Sequence, residues 1–510
     1  MRRFFPSYHI RQLEIIHFAY VQNGKFFNIE DLAEKLSFSV PCIKEDILTL
    51  SEKFSPFMNV EWDKKKLSIT FQPNITEYTF IQLFFKDSNM IHILKSVFFD
   101  PLSDPQQLMN QLMLSKTSFY RLIRRFNEDT TPDYRFELSM TPFAISGDEV
   151  MIRSMYHELF KTISKIGHWP FSDISRNDVH HLLDHIERIT NHSFERSKRL
   201  NGSFAFAVNL YRTRQLNTIS KIYIPKTYQL HINRILEDDL FQKEINYFEQ
   251  AFNIRLSYEN LQQLLFGILP CGDVKNYKEL LMLQDDADNL SKNLHQLGQY
   301  VQWVSQTYHL THTDEEQIIY MLYDLIHQQI VVPEYQPLLH QPYTEFIQRF
   351  DFIPTLFFKK TYGFLKRYSR KAKINHSQEH INQIIVHLLM HWTQLLDAFE
   401  NSQSKPNLLI LSDINAQHEA MIERILRAHL GHRYNLVQAP DDFYEQNSLL
   451  GVDADIIVSN YYVKSVPGKT NLIFDHIPTQ STLQDLERIV DDFHLDKLRH
   501  LTLSSEIEPL

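Results

Sequence analysis

A repeating pattern of apolar and polar residues predicts a short amphipathic helix over residues 114–126. The apolar positions recur three and four residues apart and would share one face: Phe119, Leu122, Ile123 and Phe126. The opposite face would carry hydroxyl, aromatic and basic side chains: Lys116, Thr117, Tyr120, Arg121, Arg124 and Arg125. No acidic residue occurs between Pro105 and Glu128. This pattern is typical of a DNA recognition helix, because arginine binds phosphates and guanine edges, although a surface helix with a solvated basic face would show it too.

The residues around this helix predict a winged helix-turn-helix unit. Residues 105–112 have the spacing of another short helix, and Ser115 stands where an N-cap would end a tight turn. Helix, short turn and basic helix form the helix-turn-helix arrangement. Residues 134–138 and 143–145 favour strands, with a turn at Gly147, and would form the wing, a β-hairpin beside the helix pair.

The same order of elements is predicted earlier in the chain. Residues 29–36 and 40–54 have helical spacing, with Asn28 as the cap of the first helix. Strands over residues 60–62 and 67–71 would flank a hairpin tip with three lysines: Lys64, Lys65 and Lys66. The outward face of the second helix carries Lys44, but it also carries Glu45 and Glu52. We therefore predict two winged units in tandem, with the later one contributing more of the DNA affinity.

The pattern of apolar and polar residues along the rest of the chain predicts a series of helices followed by a small α/β domain. Residues 165–400 look helical almost throughout, and residues 378–399 would form one long amphipathic helix. Strands over residues 407–411, 434–439, 454–459 and 470–474 alternate with helices over 416–430 and 481–493, which implies a parallel sheet. We expect a mainly α, multidomain protein with five domains: residues 1–72, 73–164, 165–285, 286–403 and 404–510.

The composition favours an ordered protein of a reducing compartment. Hydrophobic residues make up 43% of the 510 residues, and 11 Gly against 37 Phe suits a largely helical chain. Two cysteines indicate that no disulfide framework exists, and no apolar stretch is long enough for a signal peptide or a membrane span. We therefore predict a cytoplasmic protein that does not enter a membrane.

The net charge of −10 argues against a general attraction to nucleic acid. Residues 1–160 hold 18 Lys and Arg against 20 Asp and Glu, so this part of the chain is nearly balanced. Any DNA affinity would have to come from local basic patches.

The sequence contains few motifs of the kind that form catalytic, metal-binding or phosphate-binding sites. The 25 histidines fall in clusters, and three interpretations stay open: half-buried structural residues, metal ligands or phosphoryl acceptors. Neither an HExxH motif nor paired cysteines accompany them, so no metal site is assigned. The sequence also lacks glycine-rich phosphate loops and nucleophile motifs. We predict no catalytic residue, no cofactor and no enzymatic activity.

The order of these elements resembles the Mga family of bacterial transcription regulators over nearly the whole chain. Beyond the paired helix-turn-helix units, residues 143–153 look like the family's pattern Ile-x-Gly-x-Glu-x-x-Ile-Arg. Residues 204–214 are similar to a helix of its first regulatory domain. Residues 453–459, Asp-Ala-Asp-Ile-Ile-Val-Ser, resemble a strand of phosphotransferase-system IIB domains.

The resemblance implies a regulator, expected to be an activator, that binds double-stranded promoter DNA. Two phosphotransferase regulation domains and a C-terminal IIB-like domain would follow the DNA-binding half, and the chain would self-associate as a homodimer or larger oligomer. The phosphocarrier protein of the sugar phosphotransferase system would phosphorylate regulatory histidines, for which the candidates are His185, His231, His312 and His376. The loop at residues 412–416 lacks the catalytic cysteine of true IIB domains. An RNA-binding antiterminator, which shares the regulatory domains, is the alternative.

Overall fold

A computed structural model describes most residues of the chain, and every structural feature given below belongs to these described residues. They are residues 4–22, 24–64, 66–100, 103–164, 169–194, 196–220, 226–269, 277–282, 288–310, 314–327, 341–349, 354–372, 374, 376–402, 405–431, 433–438, 452–464, 467–490 and 493. Lys65 and His312 therefore lie outside the described residues. In the described part, no helix is both long and apolar enough to cross a membrane.

The described residues between 4 and 71 form three helices and a three-stranded antiparallel sheet. The elements are α1 (Ser7–Gln22), β1 (Phe27–Asn28), α2 (Ile29–Leu36), α3 (Val40–Lys53), β2 (Met58–Asp63) and β3 (Lys66–Phe71), with sheet order β1-β3-β2. Helix α2 ends where Ser37 takes a left-handed conformation, which turns the chain toward α3. The buried carboxylate of Asp46 on α3 accepts hydrogen bonds from Arg11 and Gln12 of α1. The helices and hairpin predicted for residues 28–71 are confirmed, and α1 and β1 add to them.

The second helix pair and its hairpin follow the predicted order with two corrections. The elements are α4 (Glu77–Lys86), α5 (Asn89–Phe99), α6 (Pro105–Gln111), α7 (Lys116–Tyr134), β4 (Phe136–Met140), β5 (Phe143–Gly147) and α8 (Glu149–Ile163). Helix α7 continues two turns beyond residue 126, because Phe126 and Thr130 remain buried against the hairpin. The hairpin turn lies between Met140 and Phe143, and Gly147, where the sequence predicted a turn, is the last residue of β5.

Gly147 instead joins the hairpin to α8. Its φ of +136° is one that side chains rarely adopt, and a Cβ there would lie 2.3 Å from the Arg135 carbonyl oxygen. The next residue, Asp148, caps α8 by accepting the N–H of Val150 at 3.1 Å. The junction between hairpin and helix is therefore fixed by two adjacent residues.

Residues 169–282 form helices arranged around α10. The elements are α9 (Arg176–Thr190), α10 (Arg196–Arg214), α11 (Lys226–Glu237), α12 (Asp239–Ala251), α13 (Tyr258–Leu264) and α14 (Tyr277–Met282). Helix α10 packs against α8, α9 and α13. It is buried along much of its length, which agrees with its weak amphipathic pattern and explains its apolar core of Phe204, Phe206, Val208 and Leu210.

In the part of the chain that the structure describes, six more helices precede the C-terminal sheet. They are α15 (Asp288–Thr307), α16 (Glu315–His327), α17 (Pro342–Arg349), α18 (Thr355–Lys371), α19 (Gln378–His391) and α20 (Thr393–Ser402). The single helix predicted over residues 378–399 is wrong, because the chain breaks at Trp392 and starts α20 at the next residue. The N–H of the buried Trp392 donates to the Leu388 carbonyl of α19, and the Trp392 carbonyl accepts the N–H of Leu395 of α20.

The C-terminal part is a four-stranded parallel sheet, as predicted. Its elements are β6 (Asn407–Leu411), α21 (Ala416–Leu430), β7 (Asn435–Val437), β8 (Ile456–Ser459) and β9 (Thr470–Ile473), and residues 480–490 are helical. The strand order is β7-β6-β8-β9. Alternate residues of β6 enter two separate apolar clusters, Leu408 and Ile410 in one, Leu409 and Leu411 in the other. Both faces of the sheet are therefore covered, as parallel sheets require.

The protein is thus mainly helical with one small parallel sheet. Its contacts divide the chain into two compact units: Met1–Leu297 with Ile319–Arg349 and Tyr362–Val386, and Gly298–Ile318 with Phe350–Thr361 and His387–Leu510. The five domain ranges given above stay a prediction.

Candidate nucleic-acid interface and regulatory contacts

Helix α7 has two chemically distinct faces. Phe119, Ile123 and Phe126 are buried on one of them. The other, which we name the α7 face, consists of five exposed residues: Lys116, Thr117, Tyr120, Arg121 and Arg124. Ser115 caps the helix by accepting the N–H of Ser118 at 3.2 Å, as the sequence predicted. One side of α7 is therefore held by packing while the other presents donors to solvent.

The side chains of the α7 face differ in the contacts that they make with neighbouring groups. Lys116 places its ammonium 6.0 Å from the Tyr120 ring centroid. Arg121 has no ion-pair partner among the described residues and can bind an external anion without giving up a contact. Arg125, which the sequence grouped with this face, is half-buried and engaged with other groups.

Arg124 is paired with an acid that the sequence analysis left off this face. Because α7 continues past residue 126, Glu128 lies one turn further on, and its Oε1 accepts from the Arg124 Nε at 2.8 Å. Both side chains are well exposed, Arg124 by 81% and Glu128 by 60%, so salt screens the pair. A phosphate can therefore compete with Glu128 for this guanidinium.

The hairpin β4–β5 is locked to α7. The Asn127 side chain accepts the N–H of Leu138 at 2.8 Å and donates to its carbonyl at 3.0 Å, so it replaces a missing strand partner for β4. A shallow groove runs between helix and strand, and its rim includes Tyr120, Arg124 and Ser139. Helix and hairpin thus form one rigid surface.

The earlier helix pair presents a weaker basic surface. Lys44 is exposed on α3, with its ammonium 5.8 Å from the ring centroid of Trp62 on β2. Lys64 and Lys66 are exposed at the hairpin, where Lys66 pairs across from Asp63. Sequence reasoning missed Trp62 on this surface, because strand alternation places it on the same face as Met58, whereas its side chain is 40% exposed.

A buried ionic cluster joins α8 to the helices that follow. It consists of Glu149, Arg153 and Arg212. Glu149 accepts from Arg153 Nε at 2.9 Å and from Arg212 Nη2 at 2.6 Å. Arg153 is only 3% exposed, and burial lowers its pKa while Glu149 opposes this effect.

The remaining N–H groups of Arg153 bind α10, α13 and the segment between them. Nη1 donates to the Gln263 carbonyl and Nη2 to the Asn217 carbonyl, both at 2.8 Å. Two of the segments that carried the family resemblance, residues 143–153 and 204–214, therefore meet in this cluster. The sequence identified both segments but not their contact.

Among the candidate histidines, His185 has the most developed surroundings. It lies on α9, where Arg188 Nη2 donates to its Nδ1 at 3.2 Å and Glu244 Oε2 lies 3.3 Å from its Nε2. Because a guanidinium can only donate, Nδ1 must accept, and the proton of the neutral ring sits on Nε2. Arg188 also binds both oxygens of Asp238, at 2.8 and 2.6 Å, and holds the pKa of that carboxyl well below its usual range.

The other candidates have different environments. His231 is buried on α11, at 2% exposure. His376 is half-buried, with its ring centroid 4.4 Å from that of His380. Burial, together with His380 and His327, lowers the pKa of His376 to about 3, so it stays neutral near pH 7. His312 lies outside the described residues.

Comparisons with known proteins agree with this arrangement. Residues 73–160 match the Mga helix-turn-helix domain, which spans α4 to α8. A Streptococcus pneumoniae protein whose name contains the words trans-acting regulator is 21% identical over 475 residues, 93% of this chain and 95% of its own. The capsule synthesis positive regulator AcpB of Bacillus anthracis is 21% identical over 94% of this chain and 98% of its own.

A third relative matches a shorter part. The anthrax toxin expression trans-acting positive regulator of Bacillus anthracis is 24% identical over 215 residues, 42% of this chain and 44% of its own. The matching domain contains α7 and its hairpin, and two of these relatives align over nearly their full length. The comparisons therefore show that the chain resembles transcriptional regulators of the Mga type over nearly its whole length.

Proposed function

We propose that the chain activates transcription by binding double-stranded promoter DNA through the α7 face. The observation that carries this proposal is an exposed row of Lys, Thr, Tyr and Arg on a helix whose opposite face is buried. In this proposal α6 and α7 form a helix-turn-helix with the hairpin β4–β5 as its wing. Helices α2 and α3 with the hairpin β2–β3 form a second such unit in front of it.

The chemistry of the α7 face suits a major groove. A guanidinium can bind the O6 and N7 of guanine together, and lysine and hydroxyl groups bind phosphates. Lys116, Arg121 and Arg124 supply such donors within about two turns of helix. The earlier unit adds Lys44, Lys64, Lys65 and Lys66 for backbone contacts. Activation is proposed because two relatives are named positive regulators.

A direct binding comparison tests this function. The full chain is titrated into a labelled DNA duplex and into single-stranded RNA of the same sequence, at several salt concentrations, with fluorescence anisotropy as the readout. We expect tighter binding to the duplex, with log K falling linearly with log salt. Tighter binding to RNA would favour the antiterminator alternative and reject this proposal. A footprint on duplexes selected from a random pool then defines the operator.

We further propose that the phosphocarrier protein of the sugar phosphotransferase system modifies His185. In this step the Nε2 proton first passes to Glu244, and the freed Nε2 lone pair attacks the phosphorus of the phosphocarrier's phosphohistidine. The donor N–P bond breaks, and the donor nitrogen takes up a proton from water. Arg188 keeps donating to Nδ1 before and after the transfer. His231 is less accessible, and His376 and His312 stay secondary candidates.

Phosphorylation of His185 would reach the DNA-binding half through packed helices. A phosphoryl group adds close to two negative charges beside Glu244, so α9 and α12 would be pushed apart. Helix α9 packs on α10, and α10 carries Arg212 of the buried ionic cluster. The repulsion thus acts on α9, which packs against α10, and α10 is bonded directly to α8.

A labelling experiment checks this proposal. We expect acid-labile radioactive phosphate on the parent protein after incubation with the phosphocarrier system, and at least a tenfold loss of label in His185→Ala. His180→Ala, on the same helix, is the matched control and should label normally. Equal labelling of the parent and His185→Ala would reject His185 as the acceptor, and no label on the parent would reject the whole regulatory proposal.

We also propose that residues 404–510 hold two copies of the chain together. Three exposed apolar side chains follow the ends of neighbouring strands: Ile414 after β6, Tyr462 after β8 and Ile477 after β9. Carboxyl ends of parallel strands lie at one edge of a sheet, so these side chains share that edge. Tyr462 is 80% exposed, which is unusual for a ring of its size.

Sedimentation measurements check self-association. Tyr462→Ser combined with Ile477→Ser should shift the full chain toward monomer, because the apolar area available to a second copy is reduced. Val21→Ser replaces an apolar residue of α1 whose exposure lies between those of Tyr462 and Ile477, and it should leave the mass unchanged. A double variant with the sedimentation mass of the parent would contradict an interface at this edge.

A further inference from the structure

We propose that His181, His185 and Glu244, which we name the histidine–glutamate cluster, bind a divalent transition-metal ion of the zinc class. His181 and His185 lie four residues apart on α9 and so share one face of that helix. Glu244 reaches them from α12. Among the described residues, these three place their ligand atoms within 4.8 Å of one another.

The distances are close to those that a tetrahedral ion needs. Zinc bonds of about 2.0–2.1 Å place neighbouring ligand atoms roughly 3.3 Å apart. Glu244 Oε2 lies 2.9 Å from His181 Nε2 and 3.3 Å from His185 Nε2. The two imidazole nitrogens lie within 4.8 Å of each other, and rotation about the χ angles of the two side chains can bring them to the spacing that the ion needs. Two imidazoles and one carboxylate are a donor set that zinc and related ions prefer.

The surroundings of the histidine–glutamate cluster leave one coordination position open to solvent and shield the others from it. His181 and Glu244 are 43% and 41% exposed, whereas His185 is only 10% exposed, so solvent reaches the cluster from one side. Phe248 closes the other side, with its ring centroid 5.1 Å from His181 and 5.7 Å from His185. Water would supply the fourth ligand on the open side. The aromatic wall strengthens the attraction between the ion and Glu244.

Arg188 controls the affinity of the histidine–glutamate cluster for the ion. Its positive charge is balanced by Asp238, which holds it through two hydrogen bonds. An ion on His185 Nε2 forces the ring proton onto Nδ1, where it meets the Nη2 of Arg188. Arg188 must then turn away, so its removal should tighten metal binding. Glu244, Arg188, Asp238 and the ring neighbour Tyr247 are the charged or titratable groups that the structure places around the two imidazoles.

The proposed ion goes beyond the proposed phosphorylation and does not depend on it. Both use Nε2 of His185, so an ion and a phosphoryl group exclude each other. A bound ion would therefore keep α9 and α12 together, whereas phosphorylation would separate them. The cluster would then respond to two opposing signals.

Cobalt spectroscopy on the unphosphorylated full chain tests the site. We expect one equivalent of Co²⁺ to give the intense visible bands of tetrahedral coordination, and Zn²⁺ to displace it. His181→Ala and Glu244→Gln should each weaken binding by at least the ~10–100-fold that loss of a supporting residue causes. Glu244→Gln keeps the side-chain shape, so loss of folding cannot produce this result. Arg188→Met should bind Co²⁺ more tightly than the parent.

His180→Ala is the matched control, because His180 lies beside His181 on α9 but faces Arg176 and Arg199. It should bind Co²⁺ like the parent. Absent bands in the parent, or equal affinity in the parent, His181→Ala and Glu244→Gln, would overturn the proposal. Preincubation with Zn²⁺ should also reduce labelling of His185. Metal binding without any phosphoryl label would reject the phosphorylation proposal and leave the metal site standing.

Discussion

Arg121→Ala is expected to weaken binding of duplex DNA more than Lys44→Ala does. Arg121 lies on the exposed face of α7 and has no ion-pair partner among the described residues. If it reads a base, its loss should cost about 1–3 kcal/mol and relax specificity at one position. If it contacts a phosphate, affinity should fall for all sequences and the salt slope should drop by about one. Anisotropy titrations at several salt concentrations distinguish the two cases.

Arg124 allows a second comparison on the same face. Arg124→Ala should weaken binding as Arg121→Ala does, whereas Glu128→Gln should strengthen it, because the guanidinium no longer has a competing carboxylate. Lys44→Ala reports on the earlier unit, where Glu45 lies beside the lysine. Parent-like binding by both arginine variants, together with weak binding by Lys44→Ala, would reverse the order of the two units. Normal binding by all three would reject α7 as a recognition helix.

Glu149→Ala should produce the largest loss of stability. Removing this carboxylate leaves Arg153 and Arg212 charged, buried and without their shared acid. Removing one partner of a buried pair typically destabilises a protein by about 3–5 kcal/mol, since the remaining charge is not solvated. Urea unfolding followed by circular dichroism measures the effect as a fall in the transition midpoint.

The pair Arg124–Glu128 supplies a matched control for this experiment. Both pairs join a glutamate and an arginine four residues apart, but only Glu149–Arg153 is buried. Glu128→Ala should therefore change stability by no more than about 0.5 kcal/mol. An unfolding midpoint for Glu149→Ala equal to that of Glu128→Ala would show that the buried cluster does not hold α8 to α10.

The buried ionic cluster would also give the proposed regulation a physical route. Glu149 starts α8 directly after Gly147 and Asp148, where the β4–β5 hairpin ends. Its partner Arg212 belongs to α10, which packs against the helix that carries His185. A shift of α9 against α10 is therefore separated from the β4–β5 hairpin beside α7 by only one helix, α8. This arrangement links the proposed regulatory step to the proposed DNA contact.

Local patterns in the sequence determined much of the N-terminal part of the chain and the C-terminal sheet. The two faces of α7, the Ser115 cap, both hairpins and the parallel C-terminal sheet follow from spacing over a few residues. Helical and strand periodicities fix which side chains share a face, whatever the rest of the chain does. The family resemblance added the order of the parts.

Contacts between distant residues were decided only by the tertiary structure. Helix α7 extends beyond the residues that show its amphipathic pattern, because the hairpin packs on its last turns. This extension brings Glu128 close to Arg124. Glu149 and Arg212 are 63 residues apart, and His185 and Glu244 are 59 residues apart. Periodicity says that such side chains lie on an inward or outward face, but not which other helix supplies the partner. Helix packing makes that choice, because the partner depends on which surfaces exclude water together.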